Sequence, residues 1–170
     1  MDAATKPAQA QGEGAMTRDG HGQVLTFSVA TELYGVPILS VQEIRGWERA
    51  TVLPRSADHV RGVINLRGQV VPVLDVRRRF ALEHREPDAE TVLIVVQVPD
   101  VAGGKTTVGL LVDGVSDVVE IDPANVRPAP EVCGARARDF VRGIAPVEQR
   151  MLLLLDLPAL IGDLEFQRAA

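Results

Sequence analysis

The chain has 170 residues, 46% of them apolar and 24% charged, which is typical of one globular unit that can bury its own core. Its net charge of -5 opposes binding to phosphate backbones or anionic lipid, so the expected partners are proteins or small molecules and not nucleic acid. The single cysteine, Cys133, cannot form an internal disulfide, and aliphatic runs such as 151–155 are too short to span a bilayer. We therefore expect a cytoplasmic protein without direct membrane insertion.

The predicted elements begin after residues 1–22, which are rich in Ala, Gly, Gln and Thr and lack aliphatic periodicity, as in a disordered tail. From residue 23 short runs of Val, Leu and Ile alternate with Gly, Pro and Asp, the pattern of strands and turns. Nine strands are predicted, at 24–30, 33–38, 50–53, 63–66, 70–76, 91–98, 106–112, 115–121 and 151–155. Short helices are predicted at 41–44, 57–60, 76–80 and from 157 to 161 or beyond, and 167–170 form a second tail. The predicted fold class is mainly β.

The sequence contains an internal repeat. The segment VRGVINLRGQVVPVLDV (60–76) aligns with VRGIAPVEQRMLLLLDL (141–157), and YGVPILSVQEI (34–44) aligns with VGLLVDGVSDV (108–118). Two matched blocks in the same order predict a duplicated β unit, with one copy at about 23–82 and the other at about 89–166. Because a sheet of about five short strands closes readily into a small barrel, we expect two five-stranded SH3-like barrels that share an interface or exchange strands. The pattern leaves open which strand belongs to which barrel.

The residues that usually carry catalysis or bind metals are scattered. No Gly-x-Ser-x-Gly elbow accompanies the three histidines, and one cysteine with three dispersed histidines does not form a zinc-site pattern. The Gly104-Lys105-Thr106 stretch resembles the end of a phosphate loop, but Pro99 stands where that motif requires Gly, which favours a hairpin turn. The basic run 77–79 is followed by acidic residues and is interpreted as a solvated face with local charge pairing. We expect no catalytic site, no metal and no cofactor.

The two copies differ in charge at one pair of positions. The first copy carries Glu43 and Arg67, whereas the matching residues of the second are Asp117 and Glu148. Only the first copy can therefore form an attractive pair there. Two interpretations stay open: a charge-assisted bridge between two turns of the fold, or a surface ion pair of little consequence.

Several stretches of the chain resemble the CheW family of chemotaxis coupling proteins, and together they cover nearly all of residues 25–161. They are YGVPILSVQEIRG (34–46), VRGVINLRGQVVPVLDVRRRF (60–80), VGLLVDGVSDV (108–118), VRPAP (126–130) and MLLLLDL (151–157). The resemblance implies two packed five-stranded β-barrels without catalytic activity and with two protein-binding surfaces. One surface would meet the cytoplasmic tip of a chemoreceptor, and the other the CheW-like regulatory domain of a CheA-type histidine kinase. Such a protein would work in receptor arrays at the inner face of the membrane.

The resemblance also implies roles for individual residues. It places receptor contacts at Leu25, Ile38, Val41, Ile44, Gly62 and Gly109, a functional acid and base pair at Glu43 and Arg67, and a structural glycine at Gly68. Core packing is the competing interpretation for Leu25 and Ile38, and damage to folding is the competing interpretation for the glycines. Val132 stands where some relatives carry a larger aromatic residue, so the kinase-facing residues stay unassigned.

Three other functions compete with a chemotaxis adaptor. A small β-barrel can bind oligonucleotides, but the acidic charge and the aromatic content of 4% count against that function. An enzyme would need a nucleophile and base or a metal site, which the residues do not supply. An adaptor in a chemosensory pathway with an output other than motility keeps the same family and stays open.

Overall fold

The computed structural model describes residues 22–99, 103–130 and 138–162. They form ten strands and two short helices. The strands are β1 (Gly22–Val29), β2 (Glu32–Pro37), β3 (Val41–Gly46), β4 (Val60–Leu66), β5 (Gln69–Asp75), β6 (Val92–Pro99), β7 (Lys105–Val112), β8 (Gly114–Ile121), β9 (Val141–Val147) and β10 (Arg150–Leu155). The helices are α1 (Val76–Arg79) and α2 (Leu157–Ile161), and two single 3₁₀ turns cover Ile38–Ser40 and Pro123–Asn125. None of the described helices is long and apolar enough to cross a membrane.

Most of the predicted elements are confirmed, with ends shifted by one to three residues. Three predictions are wrong. Residues 41–44 form a strand and not a helix, because the side chains of β3 alternate between partly buried and exposed, which is the period of a strand. Residues 50–53 contribute only one bridging residue, Thr51, and 57–60 form a turn that leads into β4. The predicted tails, 1–22 and 167–170, lie outside the described residues apart from Gly22.

Strand β9 was missed because Gly143 and Pro146 interrupt its apolar pattern. Its partner in the repeat, β4, was predicted, and the alignment of Val60 with Val141 places both strands at the same register. The internal repeat was therefore a better guide to β9 than its own composition.

The strands form two five-stranded sheets. The first sheet has the order β8-β1-β2-β10-β9, and the second has the order β3-β6-β7-β5-β4. Pairing is antiparallel except between β2 and β10 and between β5 and β7, which are parallel. The first two strands of each copy thus join the last three strands of the other copy. Neither sheet is made of one half of the sequence alone, and the mainly β fold class is confirmed.

The outer strands of each sheet are linked by one further backbone bridge. Thr51, after β3, exchanges hydrogen bonds of 2.8 and 2.9 Å with Val63 of β4. Arg127, after β8, exchanges bonds of 2.9 and 2.8 Å with Ile144 of β9. Each sheet therefore curls so that its two outermost strands, which we call its margins, approach each other at one point.

Alternating side chains divide the interior into three apolar cores. A shared core lies between the sheets and includes Phe27, Tyr34, Leu74, Ile94 and Leu110. A smaller core lies within the curl of the second sheet around Leu93 and Val95, and another within the first sheet around Val24 and Leu152. Because successive strand residues point to opposite faces, neighbours such as Ile94 and Val95 serve different cores. Every central strand is thus buried on both faces, which explains its continuous aliphatic sequence.

Candidate partner-binding surface

The predicted acid and base pair meets in the structure. Nη2 of Arg67 donates a hydrogen bond to Oε1 of Glu43 at 2.5 Å. Glu43 lies on β3 and Arg67 lies in the turn between β4 and β5, so the ion pair joins the two margins of the second sheet. The Arg67 side chain is largely exposed, whereas that of Glu43 is partly buried. A charged group therefore stands at the surface in a fixed position.

Local backbone chemistry positions Arg67. Both Arg67 and Gly68 have positive φ, at 50° and 85°, which is the conformation of a two-residue type I′ hairpin turn. The side chain of Asn65 accepts a hydrogen bond of 2.8 Å from the N–H of Gly68. The Asn-Leu-Arg-Gly sequence thus forms a rigid turn that points the guanidinium toward β3.

A second arginine, Arg45, also lies beside the Glu43 carboxylate. Nη1 of Arg45 lies 3.3 Å from Oε2 of Glu43, and its Nη2 lies 2.7 Å from Glu48. The hydrogen bond from Arg67, assisted by Arg45, lowers the pKa of Glu43 below its ordinary value. Glu43 is therefore ionised at neutral pH, and its charge is matched on both sides.

At the matching positions the second copy carries two acidic residues in place of an acid and a base. Asp117 lies on β8 and Glu148 in the turn between β9 and β10, and no ion pair involves either residue within the described part of the chain. Asp117 is held through its backbone, whose carbonyl accepts a bond of 2.9 Å from the Thr26 hydroxyl. The first sheet thus presents an acidic margin where the second sheet presents a balanced pair.

The predicted apolar contacts lie along the seam between the sheets. Val41 and Ile44 are opposite Val96 and Ile94, two members of the shared core, and Ile38 also packs against that core. Ile44 is 47% exposed because β3 is an outer strand. Leu25, in contrast, is only 3% exposed within the shared core, which matches the competing interpretation of core packing.

The apolar strip, which consists of Ile38, Val41 and Ile44, and the Glu43–Arg67 ion pair lie on opposite faces of β3. Glu43 lies opposite Val95, which belongs to the second-sheet core, whereas Ile44 lies opposite Ile94 of the shared core. Because β3 is an outer strand, both of its faces meet solvent along its free edge. A partner that contacts both features must therefore wrap around this edge.

The predicted glycines differ in what they do. Gly62 has φ of 144°, and a Cβ there would collide with the backbone carbonyl of Thr51. A Cβ on Gly109 would lie 3.0 Å from Leu93 in the second-sheet core, so both glycines permit close packing inside the fold. Gly68 has open space around it and is required only for its φ of 85°. The geometry gives all three a structural role, and a receptor contact at Gly62 or Gly109 stays a prediction.

Sequence reasoning missed several exposed apolar side chains. Leu39, in the 3₁₀ turn before β3, is 70% exposed and extends the strip of Ile38, Val41 and Ile44. The repeat carried a usable signal, because Ile44 matches Val118 and Val70 matches Met151, and all four side chains are exposed. The complete set of exposed large apolar side chains in the described residues is Leu39, Ile44, Val52, Val70, Leu82, Val118 and Met151.

The basic run 77–79 departs from its predicted solvated face. Arg79 is only 8% exposed, its Nε donates to the carbonyl of Leu160 at 3.1 Å, and its guanidinium lies 4.5 Å from the ring centre of Phe140. Arg77 is also mostly buried and binds Asp113. The interpretation was wrong for these two residues because the run forms α1, one side of which packs against the body.

Residues that could supply other chemistry are few in the described chain. Among residues 22–99, 103–130 and 138–162 no group of three His, Cys, Asp or Glu side chains is placed to hold a metal ion. His84 lies in the exposed connection between the copies, where its Nε2 is 2.6 Å from Glu86. Cys133 and Val132 lie outside the described residues.

Comparisons with known proteins agree in fold and sequence. Residues 23–165 match the family model described as the CheW-like domain. The probable chemotaxis protein CheW of Rhizobium etli is 39% identical over 150 residues, covering 88% of this chain and 94% of that protein. The chemotaxis protein CheW of Klebsiella aerogenes is 39% identical over 143 residues, covering 84% and 83%. The crystal structure of the scaffolding protein TtCheW from Thermoanaerobacter tengcongensis superposes with a TM-score of 0.72 at 33% identity, covering 83% of this chain and 92% of that one. The chain therefore belongs to the CheW-like domain family.

Proposed function

We propose that this chain is a non-catalytic adaptor that couples the cytoplasmic tips of chemoreceptors to a CheA-type histidine kinase and supports activation of that kinase. Membership of the CheW-like family over residues 23–165 carries the proposal. The relatives are named chemotaxis proteins, and the solved structure is that of a scaffolding protein. Residues 23–166 are proposed as the unit that binds both partners.

The receptor surface is proposed to be the free edge of β3 with the adjoining seam. A receptor helix presents an apolar stripe, which the exposed aliphatic strip of Ile38, Leu39, Val41 and Ile44 can accept. The Glu43–Arg67 pair lies on the other face of β3, across its free edge, and gives a fixed charge pattern that can select the register of a receptor that reaches around this edge. Apolar contact supplies the affinity, and the charges supply the orientation.

An adaptor of this kind acts through geometry and needs no reaction of its own. When one molecule binds both receptor and kinase, each partner experiences a raised effective concentration of the other. Individual contacts can then be weak, on the order of micromolar, while the assembly remains stable. The protein would reach the inner face of the membrane through its receptor partner and not by inserting into the bilayer.

The test is a binding experiment with each partner alone and then with both. Purified protein is mixed with a CheA-type kinase, with a receptor cytoplasmic fragment, and with the two together, and phosphate transfer to the kinase histidine is measured in parallel. We expect each partner to bind separately and kinase activity to rise only when all three proteins are present. Binding to neither cognate partner would overturn the proposal, and binding to only one would remove the coupling role.

A further inference from the structure

The chain crosses between the two sheets within a single residue at Asp113. Strand β7 of the second sheet ends at Val112, and β8 of the first sheet begins at Gly114. The N–H of Asp113 donates to the carbonyl of Ser28 at 3.0 Å, which ties the crossing to β1. Its side chain is mostly buried. Asp113 is therefore positioned where the two sheets meet.

The Asp113 carboxylate accepts hydrogen bonds from both sheets. Arg77, in the helix that follows β5 of the second sheet, donates from Nε to Oδ1 at 3.0 Å and from Nη2 to Oδ2 at 2.7 Å. The N–H of Ala30, in the turn between β1 and β2 of the first sheet, donates to Oδ2 at 2.7 Å. A bidentate arginine contact fixes both distance and angle. One carboxylate thus connects three segments of the fold.

The connection between the copies also reaches this carboxylate. Nη1 of Arg85 lies 3.8 Å from Oδ2 of Asp113, and its Nη2 lies 3.0 Å from Asp88. Arg77 donates from Nη1 to the carbonyl of Glu83 at 2.9 Å. The group of Arg77, Asp113 and the Ala30 N–H, which we name the crossing clamp, therefore also holds the segment that joins the two halves of the sequence.

The other crossing between the sheets has no such clamp among the described residues. It lies between β2 and β3, where the repeat aligns Leu39 with Asp113 and Pro158 with Arg77. Leu39 is 70% exposed, whereas Asp113 and Arg77 are mostly buried. The two copies have thus diverged so that one crossing is fixed by charge and the other exposes an apolar side chain.

The shared core alone does not select one angle between the sheets. Apolar burial is non-directional and tolerates small rotations, whereas a buried ion pair with defined hydrogen bonds favours one arrangement. The crossing clamp contacts both sheets through one carboxylate. Its position suits it to set the orientation of one sheet relative to the other.

We propose that Asp113 is a positioning residue, which through Arg77 and Ala30 fixes the angle between the two sheets and so the geometry in which the two partners are held. This inference rests on the proposed coupling function, because an angle between two surfaces matters only if each surface carries a partner. Loss of the clamp should leave each partner bound but reduce activation of the kinase.

The test measures the distance between one label on each sheet, which reports the angle between the sheets, and measures kinase activation separately. Spin labels are placed at Val70 of the second sheet and Met151 of the first, both exposed, in a chain whose single cysteine is replaced by Cys133→Ser. Asp113→Asn keeps the size and an acceptor oxygen but removes the charge, and Arg77→Lys keeps the charge but removes the bidentate contact. We expect both variants to broaden the label-to-label distance distribution, whereas the control Arg142→Gln, at an exposed position on β9, leaves it unchanged.

The functional part compares binding with activation. We expect Asp113→Asn to bind receptor fragment and kinase each with an affinity within about threefold of the wild type. Kinase activation should fall by about tenfold, because a small misplacement of reacting groups lowers the rate of reaction. Arg77→Lys breaks the same clamp at its other partner, so an effect that both variants share is not a folding defect peculiar to Asp113→Asn. Unchanged distance distributions in both variants would overturn the inference whether or not the protein is an adaptor. Broadened distributions with no partner bound by the wild type would instead defeat the proposed function alone.

Discussion

The guanidinium of Arg67 and the carboxylate of Glu43 are 2.5 Å apart, although they belong to opposite margins of one sheet. The matching residues of the first sheet, Glu148 and Asp117, are both acidic. A duplicated fold therefore carries a balanced charge pair on one copy and two like charges on the other. The difference gives the two sheets distinct surfaces, as the proposed binding of two different partners would require.

Reversal of one charge at the pair should impair function without unfolding the protein. In Arg67→Glu two acids would face each other, and the exposed position of Arg67 keeps the cost to folding small. We expect kinase activation to fall by about tenfold and the melting temperature to stay within about 2–4 °C of the wild type. Activation assays beside thermal unfolding measure the two effects, and Arg67→Lys serves as the control that keeps the charge.

The exchange of the two charges tests whether direct pairing matters. Glu43→Arg combined with Arg67→Glu should restore part of the activation lost in the single variant. Recovery will be incomplete, because the arginine introduced on β3 would lie close to the positive charge of Arg45. Unfolding of Arg67→Glu would contradict the separation of function from stability, and no recovery in the double variant would show that a partner reads the original charges.

Acid should weaken the crossing clamp. Burial of Asp113 opposes its ionisation, but hydrogen bonds from Arg77 and from the N–H of Ala30 outweigh burial and hold the pKa of the carboxyl below its ordinary value. A carboxyl with a lower pKa in the folded state stabilises the fold above its unfolded pKa, and this contribution is lost as the pH falls through the folded pKa. We expect the free energy of unfolding to decrease below about pH 4.

Asp113→Asn identifies the share of that decrease that belongs to Asp113. The variant lacks the titrating group, so its free energy of unfolding should fall less steeply below about pH 4 than that of the wild type. Urea unfolding at a series of pH values provides the comparison. Parallel curves for the two proteins would show that other carboxyls carry the acid sensitivity.

The glycines of the repeat should differ in their tolerance of alanine. A Cβ at Gly62 meets the rigid backbone of Thr51, whereas a Cβ at Gly68 meets open space and costs only the positive φ. We expect Gly68→Ala to lose about 1–2 kcal/mol of stability and Gly62→Ala to lose more than that or fail to fold. Denaturant unfolding ranks the two variants. Equal losses of stability would mean that Thr51 can move away from the added Cβ at little cost in free energy.

The sequence was sufficient for the fold class and for the Glu43–Arg67 pair, and the reason is the repeat. Alignment of the copies exposed the charge difference, and the continuous aliphatic runs identified the strands that are buried on both faces. Strand β3 was mistaken for a helix because four residues are too few to separate a period of 2 from one of 3.6. Short elements at the margin of a sheet carry the weakest periodic signal.

The crossing clamp was beyond the reach of the sequence. Arg77 and Asp113 are 36 residues apart, and Ala30 lies 83 residues from Asp113, so only the tertiary fold brings them together. The run of three arginines looked solvated because local charge pairing explained it equally well. Burial of Arg79 beside Phe140 depends likewise on the exchange of strands between copies, which the pattern of residues left undecided.

The exposed aliphatic residues of the two outer strands allow a matched test of the receptor surface. Ile44 on β3 and Val118 on β8 occupy equivalent positions and are 47% and 46% exposed. Ile44→Asp removes an apolar contact and adds an unpaired charge at the proposed contact strip, so we expect affinity for a receptor fragment to fall by about tenfold or more. Val118→Asp makes the same chemical change beside Asp117 on the first sheet and should leave receptor affinity within about twofold.

Titration of a fluorescent receptor fragment with each variant measures both affinities, and circular dichroism verifies that both remain folded. Equal losses at the two positions would mean that the receptor contacts both outer strands at the seam, and the proposed surface would have to extend to β8. A loss confined to Val118→Asp would place the receptor on the first sheet. In that case the Glu43–Arg67 pair would face the kinase, and its charge pattern would serve to orient that partner.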